Sequence, residues 1–493
     1  MGFNTLDYYI VAGYLLLIAV VGVVAGGKQR DTSDYFLGHG KIPWLAVCFA
    51  IVATETSTLT FISIPGLAYV TNLNFLQVTF GYLVGRIIIS VILLPAYSRG
   101  DLVTAYQLLG DRFGPGMRKL SSVVFMITRV FADGVRLFAT AIPLALLLAG
   151  WNQFSDVPTE QVYVVAIVIL AVITLAYTYA GGVRAVIWTD VIQMFIYLGG
   201  AVGAAIVLLS GLPSGFGGLP ADKLSIIRSG FDLSLSEFFA APYTLPAGIL
   251  GGAFLSMASH GTDHIIVQRL LTIRSLEGSR KALIGSGVII ILQFALFLVL
   301  GVLLYQFYGG ASLQEIGLTN ADEIFPKFIV EQIPSGLSGL IVAGLLAAAM
   351  STLSGSVNSL ASATVHDLYL PFAKQRRSTI SDLTISRIAS LLWCALLVGV
   401  AIFFISYRTG FLVELALSIA SVTYGGLLGV FLLGILARSV GEVDAIVGFL
   451  VGIGIMALVF TGSNLAWTWY VPLGTSISFG VGWLTARLRT RSA

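Results

Sequence analysis

Apolar runs long enough to cross a lipid bilayer recur along this chain, at about 7–26, 44–69, 74–97, 122–149, 161–180, 185–210, 244–268, 282–307, 338–368, 384–407, 411–437, 443–461 and 467–486. A hydrocarbon layer of ~30 Å takes ~20 residues of helix, and inside it every backbone polar group must be satisfied within the protein. The expectation is an all-α polytopic membrane protein with about 13 transmembrane helices. Composition agrees: of 493 residues, 57% are hydrophobic and 10% charged, where a soluble domain carries roughly a quarter charged. Apolar surface on this scale has to face lipid. The spans leave roughly 200 residues for connections, which excludes large extramembrane domains.

The 27 basic residues are unevenly placed. With the N-terminus outside, the inner connections hold twenty of them, among them Lys28, Lys41, Arg118, Arg269, Arg280, Arg377 and Arg491; the outer ones hold Lys223, Arg228, Lys327 and Arg408. That asymmetry is the positive-inside pattern, and it predicts a cytoplasmic C-terminus in a bacterial inner (plasma) membrane. Arg86, Arg129 and Arg136 remain within the membrane. The first run, with no basic residue before it, reads as an uncleaved span and not as a signal peptide. Cys48 and Cys394 lie inside apolar runs, as small core residues do. No basic patch suited to nucleic acid is present, and no obligate protein partner is evident. The longest outer connections, 211–243 and 308–337, mix short apolar stretches with Gly, Pro and acids, as interfacial half-helices do.

Two spans carry chemistry. The second is interrupted by Ala53-Thr54-Glu55-Thr56-Ser57-Thr58-Leu59-Thr60, and polar groups at membrane depth are costly unless they line a cavity. Its hydroxyls can also bond back to their own helix, but an intramembrane acid such as Glu55 points to function. The ninth span places Ser351 and Thr352 one turn past the Ala348 carbonyl. With carbonyls freed by unwinding of the second span, these oxygens would give a hard monovalent cation a five-oxygen cage. A further polar interruption, Ser256-Met257-Ala258-Ser259-His260-Gly261-Thr262, falls in the seventh span. Two interrupted spans in corresponding places are the sequence signature of a transporter site.

Several motifs stand in a fixed order: Asp34-Tyr35-Phe36-Leu37-Gly38, Thr104-Ala105-Tyr106 with Arg112-Phe113-Gly114, Gly181-Gly182-Val183 leading to Ile187-Trp188-Thr189-Asp190, Gln268-Arg269, the Ala348 to Ser359 stretch, and Gly429-Val430-Phe431-Leu432-Leu433-Gly434. In these the chain resembles the sodium/solute symporters that carry glucose, proline or sialic acid. The resemblance implies a LeuT-type core of two inverted five-helix repeats, at about 44–210 and 244–437. A preceding helix at 7–26, two additional helices within 443–486 and a short basic tail at 487–493 complete a single transporter domain. It implies a sodium-coupled symporter importing a small organic solute by alternating access. Sodium would sit on the carbonyls of Ala53, Thr56 and Ala348 and the hydroxyls of Ser351 and Thr352. A second sodium would use Asp190, Ser351 and Ser354, but Gly355 stands where the sialic acid carriers have another serine, which removes one ligand.

The solute is harder to read. Arg129, Asp133, Arg136 and Thr140 share one helix face, either as an internal ion ladder or with Arg136 free to bind an anion. Glu55 resembles an acid of the proline carriers; with Arg136 it would hold both ends of a zwitterion or simply pair with it. The acid on the third span and the lysine in the eighth that mark the sugar carriers are missing. Ser57, Thr58, Thr60, Gln77, Thr79, His260, Ser418, Ser421 and Tyr424 supply hydrogen-bonding groups. The expected cargo is thus a carboxylated or zwitterionic solute: an organic acid, an amino acid or an acidic sugar. His260 and His264 have the i, i+4 spacing of zinc ligands, but a polar helix break explains them without a third ligand. Other readings are an uncoupled channel, which would show pore-lining rings, and a membrane enzyme, which would cluster its acids; here Glu55, Asp133, Asp190 and Glu414 are dispersed.

Overall fold

The computed structural model describes residues 4–38, 42–99, 102–149, 154, 156–212, 215–373, 381–406 and 412–492. His39, Lys41, Lys374, Arg376, Arg377 and Arg408 fall outside them. The described residues form α1 (Thr5–Gly26), α2 (Trp44–Glu55), α3 (Thr58–Val70), α4 (Leu76–Ile92), α5 (Pro115–Ala149), α6 (Thr159–Ser210), α7 (Gly252–Gly261), α8 (His264–Leu271), α9 (Leu276–Phe307), α10 (Leu337–Ala363), α11 (Asp382–Phe404), α12 (Leu412–Leu436), α13 (Glu442–Gly462) and α14 (Tyr470–Ser492), with short helical turns between. Every apolar run falls on one of these helices or on a broken pair. Among the described residues seven helices are individually long and apolar enough to cross a bilayer, and α2 with α3 passes the same test as a pair bent by 59°. α6 is too long for one crossing, and Gly182 divides it: its φ of 56° and ψ of −152° are open to glycine alone without strain. The Tyr35 carbonyl lies 2.4 Å from where a Cβ on Gly182 would stand, so the Asp34 to Gly38 motif packs into the kink. Residues 487–492 continue α14 as helix instead of leaving it as a tail.

Both interrupted spans are broken where their hydroxyls cluster. Thr54 and Thr56 donate back to the carbonyls of Ala50 (2.7 Å) and Val52 (2.8 Å), and the Ser57 amide turns to the Glu55 carbonyl at 3.1 Å. The Ala53 carbonyl therefore loses the amide that would continue the helix. At the second break Thr262 leaves helical geometry, and Asp263 caps α8 by accepting from the Ile265 amide at 2.9 Å.

Helix α10, buried along its length, is fastened at its start by Asp7 of α1. The Asp7 carboxylate accepts from the Gly336 and Gly339 amides (both 2.8 Å) and from the Ser338 (2.7 Å) and Ser335 (3.1 Å) hydroxyls. An acid at a helix N-terminus satisfies orphan donors and favours the macrodipole. Connection 211–243 is pinned by buried Lys223, which donates to the Tyr69 carbonyl at 2.7 Å and lies 4.1 Å over the Tyr305 ring.

Where α4 meets α7, glycines put backbone against backbone. A Cβ on Gly81 would stand 2.5 Å from the Gly248 carbonyl oxygen, one on Gly85 2.3 Å from that of Ala253, and one on Gly252 2.3 Å from that of Val78. Small residues at i, i+4 permit this approach. Gly85→Val is expected to lower the thermal unfolding midpoint in detergent by an amount equivalent to ~1–3 kcal/mol or more. Gly399→Ala, facing open space, is expected to leave it unchanged or slightly raised.

Candidate functional site

The two breaks open onto one cavity with an empty volume of ≈ 870 Å³, its open mouth included. From α2, α3 and the break between them come Thr54, Glu55, Ser57 and Thr60; from α5, Arg129 and Arg136; from α7, Ser259 and His260; from α10, Thr352; from α12, Tyr424. Apolar walls include Phe75, Tyr82, Leu255 and Phe294. Phe75 stacks on Phe294 with ring centres 5.4 Å apart, and Tyr243, packed on Phe75, donates to Glu414. Of the groups expected to meet solute, the structure gathers Glu55, Ser57, Thr60, Arg136, His260 and Tyr424. Thr58 instead donates to the Leu345 carbonyl at 3.0 Å, Gln77 to the Tyr243 carbonyl at 3.1 Å and Thr79 to its own helix, while Ser418 and Ser421 lie away from the cavity lining.

Glu55 does not pair with Arg136. Its partner is Arg86, completely buried and held in turn by the Ser286 hydroxyl at 2.6 Å; His260 Nε2 lies 3.3 Å from the same carboxylate oxygen. Arg136 bonds Asp133 at 3.1 Å and stays 19% exposed toward the cavity. Asp133 also takes Arg129 at 3.3 Å and the Ser356 hydroxyl at 2.5 Å, so the ladder on α5 is real. Arg129 continues it across the second break to Asp263, with the Tyr424 hydroxyl bridging at 2.6 Å to each. Four acids (Glu55, Asp133, Asp190, Asp263) thus face four arginines (Arg86, Arg129, Arg136, Arg269) in contact pairs. A buried charge without such a partner would be strongly destabilising.

Beside the first break, α10 presents Ala348, Ser351 and Thr352, all buried. Thr352 donates to the Ala348 carbonyl at 3.2 Å, and Ser351 donates to Asp190 at 2.7 Å, which leaves the Ser351 oxygen lone pairs free for a cation. The Thr58 bond to Leu345 holds α3 against α10 one turn away. Ser354 donates to the Ser351 carbonyl at 3.0 Å. Among the described residues no cluster of three His, Cys, Asp or Glu side chains could hold a metal, and His260 and His264 are separated by the break.

A model of the sodium:solute symporter family matches residues 35–452. The chain belongs to that family. It is 28% identical to a sodium/sialic acid symporter of Aliivibrio fischeri over 98% of this chain and 93% of that one, and 29% identical to sodium-coupled monocarboxylate transporter 1 of Xenopus laevis over 96% and 74%. A solved Na+-coupled sialic acid symporter in a substrate-bound outward-open state superposes with a TM-score of 0.84 at 26% identity, covering 98% of both chains. Mhp1, a nucleobase-cation-symport-1 family transporter, matches at 0.55 and 15% identity over 94% of this chain and 96% of that one, a likeness of fold alone. This symporter is therefore a sodium-coupled transporter with the LeuT-type fold, and not an enzyme.

Sequence reasoning missed three groups. Arg269, assigned to a connection, is buried against Asp190 at 3.0 Å. Arg86 was seen without its acid. Gln293 on α9 donates to the Thr56 hydroxyl and accepts from Tyr197 at 3.1 Å, bracing the first break. An uncharged glutamine amid a long apolar run was the signal available for it. In the symporter, Arg86→Met should cost ~3–5 kcal/mol by stranding Glu55, and Arg86→Met with Glu55→Leu should recover most of it; a double-mutant cycle of unfolding midpoints measures the coupling.

Proposed function

We propose that the chain binds one sodium ion on the carbonyls of Ala53, Thr56 and Ala348 and the hydroxyls of Ser351 and Thr352, and moves it together with a carboxylate-bearing solute, an acidic sugar of the sialic acid type. The supporting observation is the charge balance of the cavity. Its acids and arginines already neutralise each other, so a bound sodium adds a positive charge in a low-dielectric site. One carboxylate on the solute restores neutrality, and Arg136, half-committed to Asp133 and facing the cavity, is the residue placed to receive it. Glu55, His260, Ser57, Thr60 and Tyr424 then offer hydrogen bonds to hydroxyl and amide groups of the remainder. Several separate hydrogen-bonding groups around one arginine suit a polyhydroxylated acid better than a bare monocarboxylate. Two of the similar proteins carry sialic acid by name.

With a monoanion the voltage term cancels, so a tenfold sodium gradient supplies ~1.4 kcal/mol and sustains about a tenfold solute gradient. The first repeat would span 44–210 and the second 244–437, each opening with its broken helix. We place the N-terminus outside and the C-terminus in the cytoplasm of a bacterial inner membrane, with the lipid bilayer as the surrounding phase and no obligate protein partner.

Proteoliposomes with an inward sodium gradient are expected to take up sialic acid in preference to lactate, proline or glucose. Ser351→Ala and Thr352→Ala should each raise the sodium concentration for half-maximal uptake, and Arg136→Gln should weaken solute binding roughly ten- to a hundredfold. Unchanged sodium dependence in both hydroxyl variants would remove the ion site. Single cysteines on a background lacking Cys48 and Cys394 test the orientation: positions 228 and 327 should react with an impermeant reagent in intact cells, while positions 28, 118 and 280 should not.

A further inference from the structure

We propose that Arg269 acts as a built-in second cation: its guanidinium fills the place beside Asp190 that a second sodium would take, limiting the chain to one sodium per cycle. The proposal rests on the sodium site assigned above. Asp190 is completely buried, and its carboxylate gathers the Ser351 hydroxyl at 2.7 Å and the Thr54 hydroxyl at 3.5 Å, with Ser354 one turn further along α10. A carboxylate among hydroxyls is a hard-oxygen set that would hold sodium. Here Arg269 Nη2 already donates to it at 3.0 Å, while Nη1 donates to the Ile265 carbonyl at 2.9 Å.

Gly355 makes the fit possible. A Cβ at that position would stand 2.8 Å from Arg269 Nη2 and 3.4 Å from Nη1, so any side chain there pushes the guanidinium from its seat. The acid is thereby neutralised by a tethered charge, and a second sodium would bring two cations to one buried carboxylate. The same arrangement gives Asp190 a second task. Its other oxygen fixes the Ser351 hydroxyl proton, turning the oxygen toward the sodium site, while Arg269 belongs to α8, the half-helix beyond the second break. That half-helix is otherwise held by Asp263 to Arg129, by Gln268 to Asn358 at 3.0 Å and by His264 to Ser362 at 3.1 Å. The proposed sodium ligand Ser351 and the half-helix beyond the second break thus share one carboxylate.

Equilibrium binding of ²²Na+ to the purified full chain counts the sites. One sodium per chain is expected for the unaltered protein and two for Arg269→Gln, with the Hill coefficient for sodium rising from one toward two. Two ions on the unaltered chain, or one on Arg269→Gln, would overturn the proposal. If Arg269→Gln is not recovered folded, Gly355→Ser carries the test with every charge kept: it displaces the guanidinium and adds a hydroxyl, so gain of a second ion is expected and an unchanged single site would refute it. A count of zero on the unaltered chain, or a single ion that survives Ser351→Ala with Thr352→Ala, fails the sodium assignment instead, which separates the two failures.

Discussion

A helix that stops inside a membrane leaves carbonyls and amides with no water to turn to, and the rest of this structure is organised around two such stops. At Thr56-Ser57 the Glu55 carbonyl takes the Ser57 amide, Gln293 braces the Thr56 hydroxyl, and the Ala53 carbonyl is released toward the sodium proposed above. At Thr262-Asp263 an acid caps the next half-helix and is neutralised by Arg129. The breaks are tolerable because polar side chains from α5, α9, α10 and α12 converge on them.

Convergence brings charge with it, and each charge is met. The pairs run from Glu55 and Arg86 on one flank of the cavity, through Asp133 with Arg129 and Arg136, to Asp263, with Asp190 and Arg269 behind α10. Removing one member strands another, so the set resists piecemeal change. It also balances acids against arginines at the two breaks, a background on which a single ion and a single carboxylate complement each other.

Much of this was legible in the sequence because the bilayer imposes a blunt rule on apolar length, and because hydroxyls and acids inside apolar runs are conspicuous. The broken spans, the placement of Ser351 and Thr352 on one helix and the ladder from Arg129 to Arg136 all follow from spacing along a single helix. What spacing cannot give is which helix faces which. Glu55 was matched to Arg136, but α4 lies nearer and supplies Arg86. Arg269 sits at the end of an apolar run, where a basic residue ordinarily marks the membrane surface; only its reach from α8 to Asp190 of α6 shows it buried and paired. Likewise Ser418, Ser421 and Tyr424 share a face by number, yet Tyr424 alone reaches the cavity, since its ring is long enough to meet Arg129 and Asp263.

The glycine seam between α4 and α7 has a mechanical meaning. Side chains that interdigitate can trade rotamers and let helices slide by fractions of an ångström, but Gly81, Gly85 and Gly252 put backbone on backbone, with nothing to repack. α4 follows directly from the first broken span and α7 leads directly into the second, so the seam joins the two hinges as a stiff crossbar. The two breaks are thereby joined through backbone contact, with no side chains between them to absorb a relative shift.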